Sequence, residues 1–168
     1  MHKRIGRIAN CLWFDKNASE AITFYTCVFK NAHIGRISHY TSEGKEIHGM
    51  DAGSVMTVEF VLDGQNFVAL NGGPHFKFNE AISFMVYCDT QEEIDYYWNN
   101  LATGGDEKAQ QCGWLKDKFG VSWQITPNIL DDMLLDADKE KVKRVTRAML
   151  QMKKLDIAEL TRAFEGTQ

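Results

Sequence analysis

The stretch VALNGGPHFKFN, residues 68–79, runs from a hydrophobic strand into Asn71-Gly72-Gly73-Pro74. A glycine pair at that place raises phosphate or nucleotide binding as a first chemistry. A glycine loop that cradles an anion must lead from a strand into a helix N-terminus, where aligned amides face the charge. Here the chain passes through Phe76-Lys77-Phe78-Asn79 into another strand-like run, so Gly72 and Gly73 are read as a corner. Glu59 offers a second chemistry. The alternation in VMTVEFVL places Met56, Val58, Phe60 and Leu62 on one strand face and Thr57, Glu59 and Val61 on the other. With the apolar face turned to the helices, Glu59 points away from them, where partial burial would favour its protonated form and make it a general base. A solvent-exposed strand glutamate is the plain alternative. Cys11 could be a nucleophile only beside a base or a positive charge, and no histidine is near it in sequence. Trp13 and Trp114 are flat surfaces suited to stacking on a planar ligand, or else core side chains.

Composition narrows the partners. A chain of 168 residues with 44% hydrophobic content can bury a core without staples. Its 19 basic and 23 acidic residues are spread along it and sum to −4, which leaves no basic face for nucleic acid. No run approaches the roughly 18 apolar residues of a membrane span. The opening MHKRIGRIANCLWFDKN lacks a small-residue cleavage site and is read as mature protein. Cys11, Cys27, Cys88 and Cys112 form no CxxC pair, so reduced thiols in a cytoplasmic protein are expected. His33 and His39 share a strand face by parity and are read as surface residues; His2, His48 and His75 fall in loops.

The elements that must position these residues repeat. IANCLWF (8–14) is a strand-length apolar run followed by Asp15 and by Asn17-Ala-Ser-Glu20, which has the spacing of a capping box. The helix it opens carries Ala21, Ile22, Tyr25, Val28 and Phe29 on one side. AISFMVYC (81–88) is again a strand, followed by Asp89, a second capping box Thr90-Gln-Glu-Glu93, and Ile94, Tyr97, Trp98 and Leu101. A displacement of 73 positions sends Asn17 to Thr90, Glu20 to Glu93 and Tyr25 to Trp98, so the unit is duplicated. Further strands follow each helix: 33–40, 55–62 and 65–71 in the first half, with Asp63-Gly64 as a hairpin signal, and 107–112, 114–119 and 121–126 in the second. The register of that hairpin is open, and a slip of one residue reverses every facing. The chain's two prolines, Pro74 and Pro127, each close the last strand of a half.

The fold class is therefore α+β: paired βαβββ modules, 5–75 and 80–127, forming a mixed sheet, with a helical tail over 128–168, all in one domain. In the tail, Val142, Val145, Met149 and Met152 recur at helical spacing, and Asp156-Ile-Ala-Glu159 opens a last helix with Ile157, Leu160 and Phe164. These stripes need a surface to cover, on the same subunit or across a dimer.

CLWFDKNASEAITFY, VEFVLDGQNFVALNGGP, FKFNEAISFMVYCD, CGWLKDKFGVSWQITP and the AMLQMKKLDI tail together resemble the PhnB-like, demethylubiquinone methyltransferase-like branch of the vicinal oxygen chelate superfamily, which also holds glyoxalase I, extradiol dioxygenases and bleomycin and fosfomycin resistance proteins. The likeness covers roughly residues 5 to 160. It implies paired modules curling around a cleft, usually in a homodimer. In metal-using members, His, Glu or Gln on the first and last strands of each module bind a divalent ion. The matching positions here are Cys11, Ala69 or Asn71, Ser83 and Gln124, none of them histidine or carboxylate. Such a set would hold a metal weakly, so no cofactor is expected beyond a weak divalent ion. The methyltransferase label finds no glycine-rich strand-to-helix loop to support it.

The resemblance thus implies a cleft lined by Cys11, Trp13, Glu59, Asn71, Ser83 and Gln124, with Trp114 and Lys116 near the rim. Two functions are compatible with it. One is an enzyme acting on a small aromatic or oxygen-bearing molecule, with Glu59 as base and Asn71 and Gln124 polarising an oxygen. The other is a drug-sequestering binding protein that does no bond chemistry. A cleft filled by side chains in an interaction protein is the third reading.

Overall fold

The computed structural model describes residues 7–167; His2 and the predicted start of the first module at residue 5 lie outside them. The chain divides into two compact units, one up to Phe78 and one from Asn79. The class is α+β, with two open mixed sheets and C-terminal helices.

In the first unit, β1 (Asn10–Phe14) leads into helix α1 (Ala18–Val28), then β2 (Ala32–His39), a one-turn helix α2 (Lys45–His48), β3 (Val55–Leu62) and β4 (Gln65–Asn71). The sheet order is β1-β4-β3-β2, with β1 parallel to β4 and the other pairs antiparallel. Helix α1 packs on β2, β3 and β4 through Ala18, Ala21, Ile22, Tyr25 and Val28, the face that the sequence spacing predicts. Each fully buried large side chain of this kind stabilises the fold by about 1.5–3 kcal/mol. Asp63 (φ 45°) and Gly64 (φ 80°) form the two-residue hairpin turn, and Leu62 pairs with Gln65. Positive φ at both central residues marks type I′, which matches the twist of the strands. This fixes the register: Glu59 lies opposite Val68, and Val58 opposite Ala69.

The second unit repeats the plan with a strand missing. β5 (Phe84–Cys88), helix α3 (Gln91–Ala102), β6 (Trp114–Lys116) and β7 (Ser122–Pro127) give the order β5-β7-β6, with β5 parallel to β7. The strand expected over 107–112 is instead a 3-10 turn at Glu107–Ala109 and a single bridge between Gln111 and Trp114. EKAQQC carries too little apolar surface to hold an edge strand. The strand expected over 114–119 ends at Lys116, because Asp117 turns the chain. Its buried carboxylate accepts from the backbone amides of Phe119 and Val121 and from Trp123 Nε1 at 2.8–3.0 Å.

The two capping boxes also differ. Thr90 Oγ1 accepts from the Glu93 amide, and Glu93 reaches back to the amide of Asp89 at 2.8 Å. Asn17 makes no side-chain cap. The tail forms α4 (Ile129–Leu134), α5 (Lys139–Met149) and α6 (Ile157–Glu165), with Asp138 and Asp156 as caps. Leu130, Met133, Val145, Met152, Leu155 and Leu160 form its buried cluster, so the stripes pack within the one chain. No helix among the described residues is long and apolar enough to cross a membrane.

Candidate functional site

Each sheet has one face under its own helix, and the candidate residues other than Asn71 lie on the opposite face. In the first unit, Cys11 lies opposite Val68, Trp13 opposite Leu70, and Glu59 opposite Val68, which puts Cys11, Trp13, Thr57 and Glu59 on the face away from α1. Cys11 is exposed, and partial desolvation pushes its thiol up, away from the thiolate a nucleophile needs.

Glu59 is held by a residue the sequence did not single out. Arg36 Nε donates to Glu59 Oε2 at 2.8 Å and Nη2 to Oε1 at 2.6 Å, a fork on both carboxylate oxygens. The carboxylate in turn pushes the Arg36 guanidinium further towards its charged form. Regular pairing from Ile34 opposite Phe60 would turn Arg36 towards the helix side. A register shift between Ile34 and Ile37 adds one residue and brings Arg36 beside Glu59. Gly35 permits this, since a Cβ there would sit 3.2 Å from Glu59 O. Glu59 is thereby an ion-paired strand residue.

Asn71 requires the larger correction. It pairs with Phe14, on the side facing α1, opposite to Glu59. It is 6% exposed; its Oδ1 accepts from the Ala18 amide at 2.9 Å, and its Nδ2 donates to Val55 O at 3.0 Å. The α1 cap missing from Asn17 is supplied from β4. Asn71 also edges a depression of about 270 Å³ lined by Lys16, Ser19, Met50, Asp51 and Val55. Lys45 pairs with Asp51 there at 2.9 Å and holds its carboxyl below the usual range.

The glycine pair is accounted for by packing. Gly72 N donates to Phe14 O and Gly73 N to Asp15 O, extending the parallel ladder, so these amides are engaged by carbonyls. A Cβ on Gly72 would fall 2.2 Å from the Trp13 ring. Trp13 itself donates to Gly73 O at 2.9 Å and meets Phe76 edge-on, a fixed position rather than an open platform.

In the second unit the candidates converge. Trp114 lies opposite Gln124 on β6 and β7, Lys116 opposite Ser122, and Gln124 Nε2 donates to Ser83 Oγ at 2.8 Å. These side chains lie away from α3, which takes Leu115, Trp123 and Ile125 on the other face. Lys116 pairs with Glu80 and holds its carboxyl below the usual range. Ser122 Oγ is buried without a hydrogen-bond partner among the described residues.

A family model described as 3-demethylubiquinone-9 3-methyltransferase matches residues 6–126. The chain belongs to this family. Its solved relatives share its α+β fold. A PhnB protein from Bacillus cereus, described as a candidate methyltransferase of that name, is 36% identical over 73% of this chain and 99% of its own, with a TM-score of 0.63. Protein PA1353 from Pseudomonas aeruginosa is 19% identical over 73% of this chain and 98% of its own, with a TM-score of 0.56, and shares the fold. So does a variant of the fosfomycin resistance protein FosX from Listeria monocytogenes, complexed with Mn(II) and 1S,2S-dihydroxypropylphosphonic acid, at 17% identity over 80% of this chain and 99% of its own and a TM-score of 0.51. No curated protein matches the chain.

The family and superfamily names imply a methyl donor or a divalent ion, and the residues fit neither. Both strand-to-helix turns, Asp15-Lys16-Asn17 and Asp89-Thr90, lack the glycines that let a backbone approach a cofactor. Of the positions matched to metal ligands, Cys11 and Asn71 lie on opposite faces, Asn71 is engaged by two backbone groups, and Ser83 and Gln124 bond each other. No three His, Cys, Asp or Glu gather for an ion among the described residues.

Proposed function

We propose that this member of the family binds a small, planar, oxygen-bearing molecule on the face of the second sheet, through polar and aromatic side chains and without a metal held by the protein. The Ser83–Gln124 bond beside Trp114 carries this reading. By donating Nε2 to Ser83, Gln124 keeps its carbonyl oxygen as an acceptor, and the Ser83 hydroxyl keeps its proton to donate. Trp114 supplies a stacking surface and Lys116 a charge at the rim, which is the composition of a small-molecule site. Binding is favoured over base catalysis in the first unit because Arg36 holds both oxygens of Glu59. A homodimer is the assembly implied by the family likeness, and free thiols at Cys11, Cys27, Cys88 and Cys112 accord with a cytoplasmic setting.

Native mass spectrometry of freshly purified protein tests the reading: a retained organic mass without a stoichiometric ion is expected. Gln124→Leu and Trp114→Leu should each lose that mass, while Glu59→Gln keeps it. A stoichiometric divalent ion, or retention unaffected by both substitutions on the second sheet, would refute it.

A further inference from the structure

The tail beyond the family match does more than cover apolar surface. Gln111 and Trp114 exchange backbone bonds at 2.8 and 3.2 Å across Cys112 and Gly113, whose φ angles are 51° and 84°. This is a type I′ geometry, which favours Asn, Asp or Gly at its first central position. Cysteine there is disfavoured by roughly five- to thirty-fold, the cost of a left-handed conformation for a residue with a Cβ. The turn is held from outside. Cys112 N donates to Met152 O and Gly113 N to Lys153 O, both at 2.8 Å, while Gly113 O accepts from Ile125 N at 2.8 Å. The approach is so close that a Cβ on Gly113 would meet Ile125 O at 2.9 Å and Leu155 Cδ1 at 3.0 Å.

The tail segment is itself tied down by one side chain of α3. Gln91 Nε2 donates to Leu155 O at 3.2 Å and Gln91 Oε1 accepts from Ile157 N at 2.9 Å, so its amide pairs with the tail as a peptide group of a neighbouring strand would. Lys154 adds an ion pair to Asp95 at 2.6 Å. Trp114 follows the turn directly and lies opposite Gln124.

We propose that residues 152–157 form a strap that holds the turn ahead of β6 and so sets Trp114 on the binding face, with Gln91 as its positioning residue. The strap lies beyond residue 126, where the match to the family model ends. Its bearing on ligand binding rests on the function proposed above; its hold on the Trp114 hairpin does not.

The test uses full-length protein labelled with 5-fluorotryptophan, with amide exchange measured in parallel. Gln91→Ala should speed exchange at Cys112 and Gly113 by tenfold or more and shift or broaden the Trp114 fluorine signal, leaving that of Trp13 in place. Adding Cys112→Gly should restore the Trp114 signal, because glycine adopts positive φ without the penalty and the hairpin no longer needs the strap. Should Gln91→Ala fail to fold, Lys154→Ala loosens the same segment and must move the same probes in the same direction, less far. An unchanged Trp114 signal while amides of 155–157 exchange faster would overturn the proposal, as would failure of Cys112→Gly to rescue. Loss of the strap with the retained ligand still bound would sink the coupling to binding alone; the expected probe changes in a protein that never retains a ligand would sink the binding reading alone.

Discussion

Replacing Asn71 by alanine distinguishes a structural clamp from a ligand-facing amide. The substitution removes the acceptor of the Ala18 amide, which is wholly buried, and the donor to Val55 O, which is partly so. A buried group left unsatisfied costs about 1–3 kcal/mol, and the second, more accessible bond about 0.5–1.5 kcal/mol. The expected loss is therefore about 2–4 kcal/mol. At roughly 2–4 °C per kcal/mol for a chain of this size, Tm should fall by about 5–15 °C. Asn71→Asp keeps an acceptor for Ala18 at a helix N-terminus, where a carboxylate is welcome, but sets its second oxygen against Val55 O. It should fall between the wild type and the alanine variant. Thermal unfolding by circular dichroism gives the ranking, and exchange at the Ala18 amide localises it. A Tm within about 1 °C of wild type for Asn71→Ala, the range of an unengaged surface residue, would show that the clamp is not formed.

Other outcomes follow from the same geometry. Gly72→Ala forces a methyl group into the Trp13 ring and should cost about 1–3 kcal/mol, with a change in near-ultraviolet circular dichroism; an unaltered spectrum would contradict that packing. Arg36→Met should destabilise the first unit more than Glu59→Gln does, because it leaves a half-buried carboxylate without its fork; equal or reversed effects on unfolding in denaturant would refute the pairing. Burial, then Glu93 and Asp89, push the Cys88 thiol up to about 12 from an ordinary value of 9.0. The folded state then keeps a proton that the unfolded chain releases, so this stabilisation is complete below pH 9.0, declines above it and is gone above about 12. Cys88 should accordingly resist thiol reagents in the native protein while exposed Cys27 reacts, and an alkaline titration of stability in Cys88→Ala should lose part of the fall. In acid the sign reverses. Lys154 and Gln91 hold Asp95, and the backbone amides of Glu140 and Lys141 hold Asp138, below the usual range. The stabilisation they give is present above about pH 4 and lost as pH falls through their lowered values, so tail amides should exchange faster at pH 3 relative to the β3–β4 core.

The parts of this fold that could be read from the sequence are those fixed by local periodicity. The duplicated strand and helix, the Asp63-Gly64 hairpin and the Asp156 cap each depend on residues within a few positions of one another. What could not be read was set across distance. The α1 cap has the right spacing at Asn17 and Glu20, yet the acceptor comes from Asn71, 53 residues on. Arg36 reaches Glu59 through a register shift between Ile34 and Ile37, and no spacing rule places that bulge on β2. Whether Asn71 shares a face with Glu59 depends on the hairpin register, which the sequence leaves open. The observed register separates them, with the consequence that an amide assigned to polarising a ligand serves the backbone instead.

The second module shows how a duplicated unit can diverge without losing its plan. The parallel closure is retained in both halves: Gly72 N bonds Phe14 O in one, and Asn128 N bonds Cys88 O in the other. What the second half gives up is strand 107–112, whose loss would leave the β6 side of a three-stranded sheet with unpaired backbone groups, a recognised route to aggregation. Gln111 bonds Trp114 at that side, the carbonyls of Met152 and Lys153 hold the turn between them through the amides of Cys112 and Gly113, and the Gln91 amide holds the tail farther along. A strong strand at 107–112 would pull on the Gln111–Trp114 turn that the tail holds, so β-branched residues at Lys108 and Gln110 are expected to raise amide exchange in 152–157. Unchanged protection of that segment would mean that the turn and the tail are not coupled.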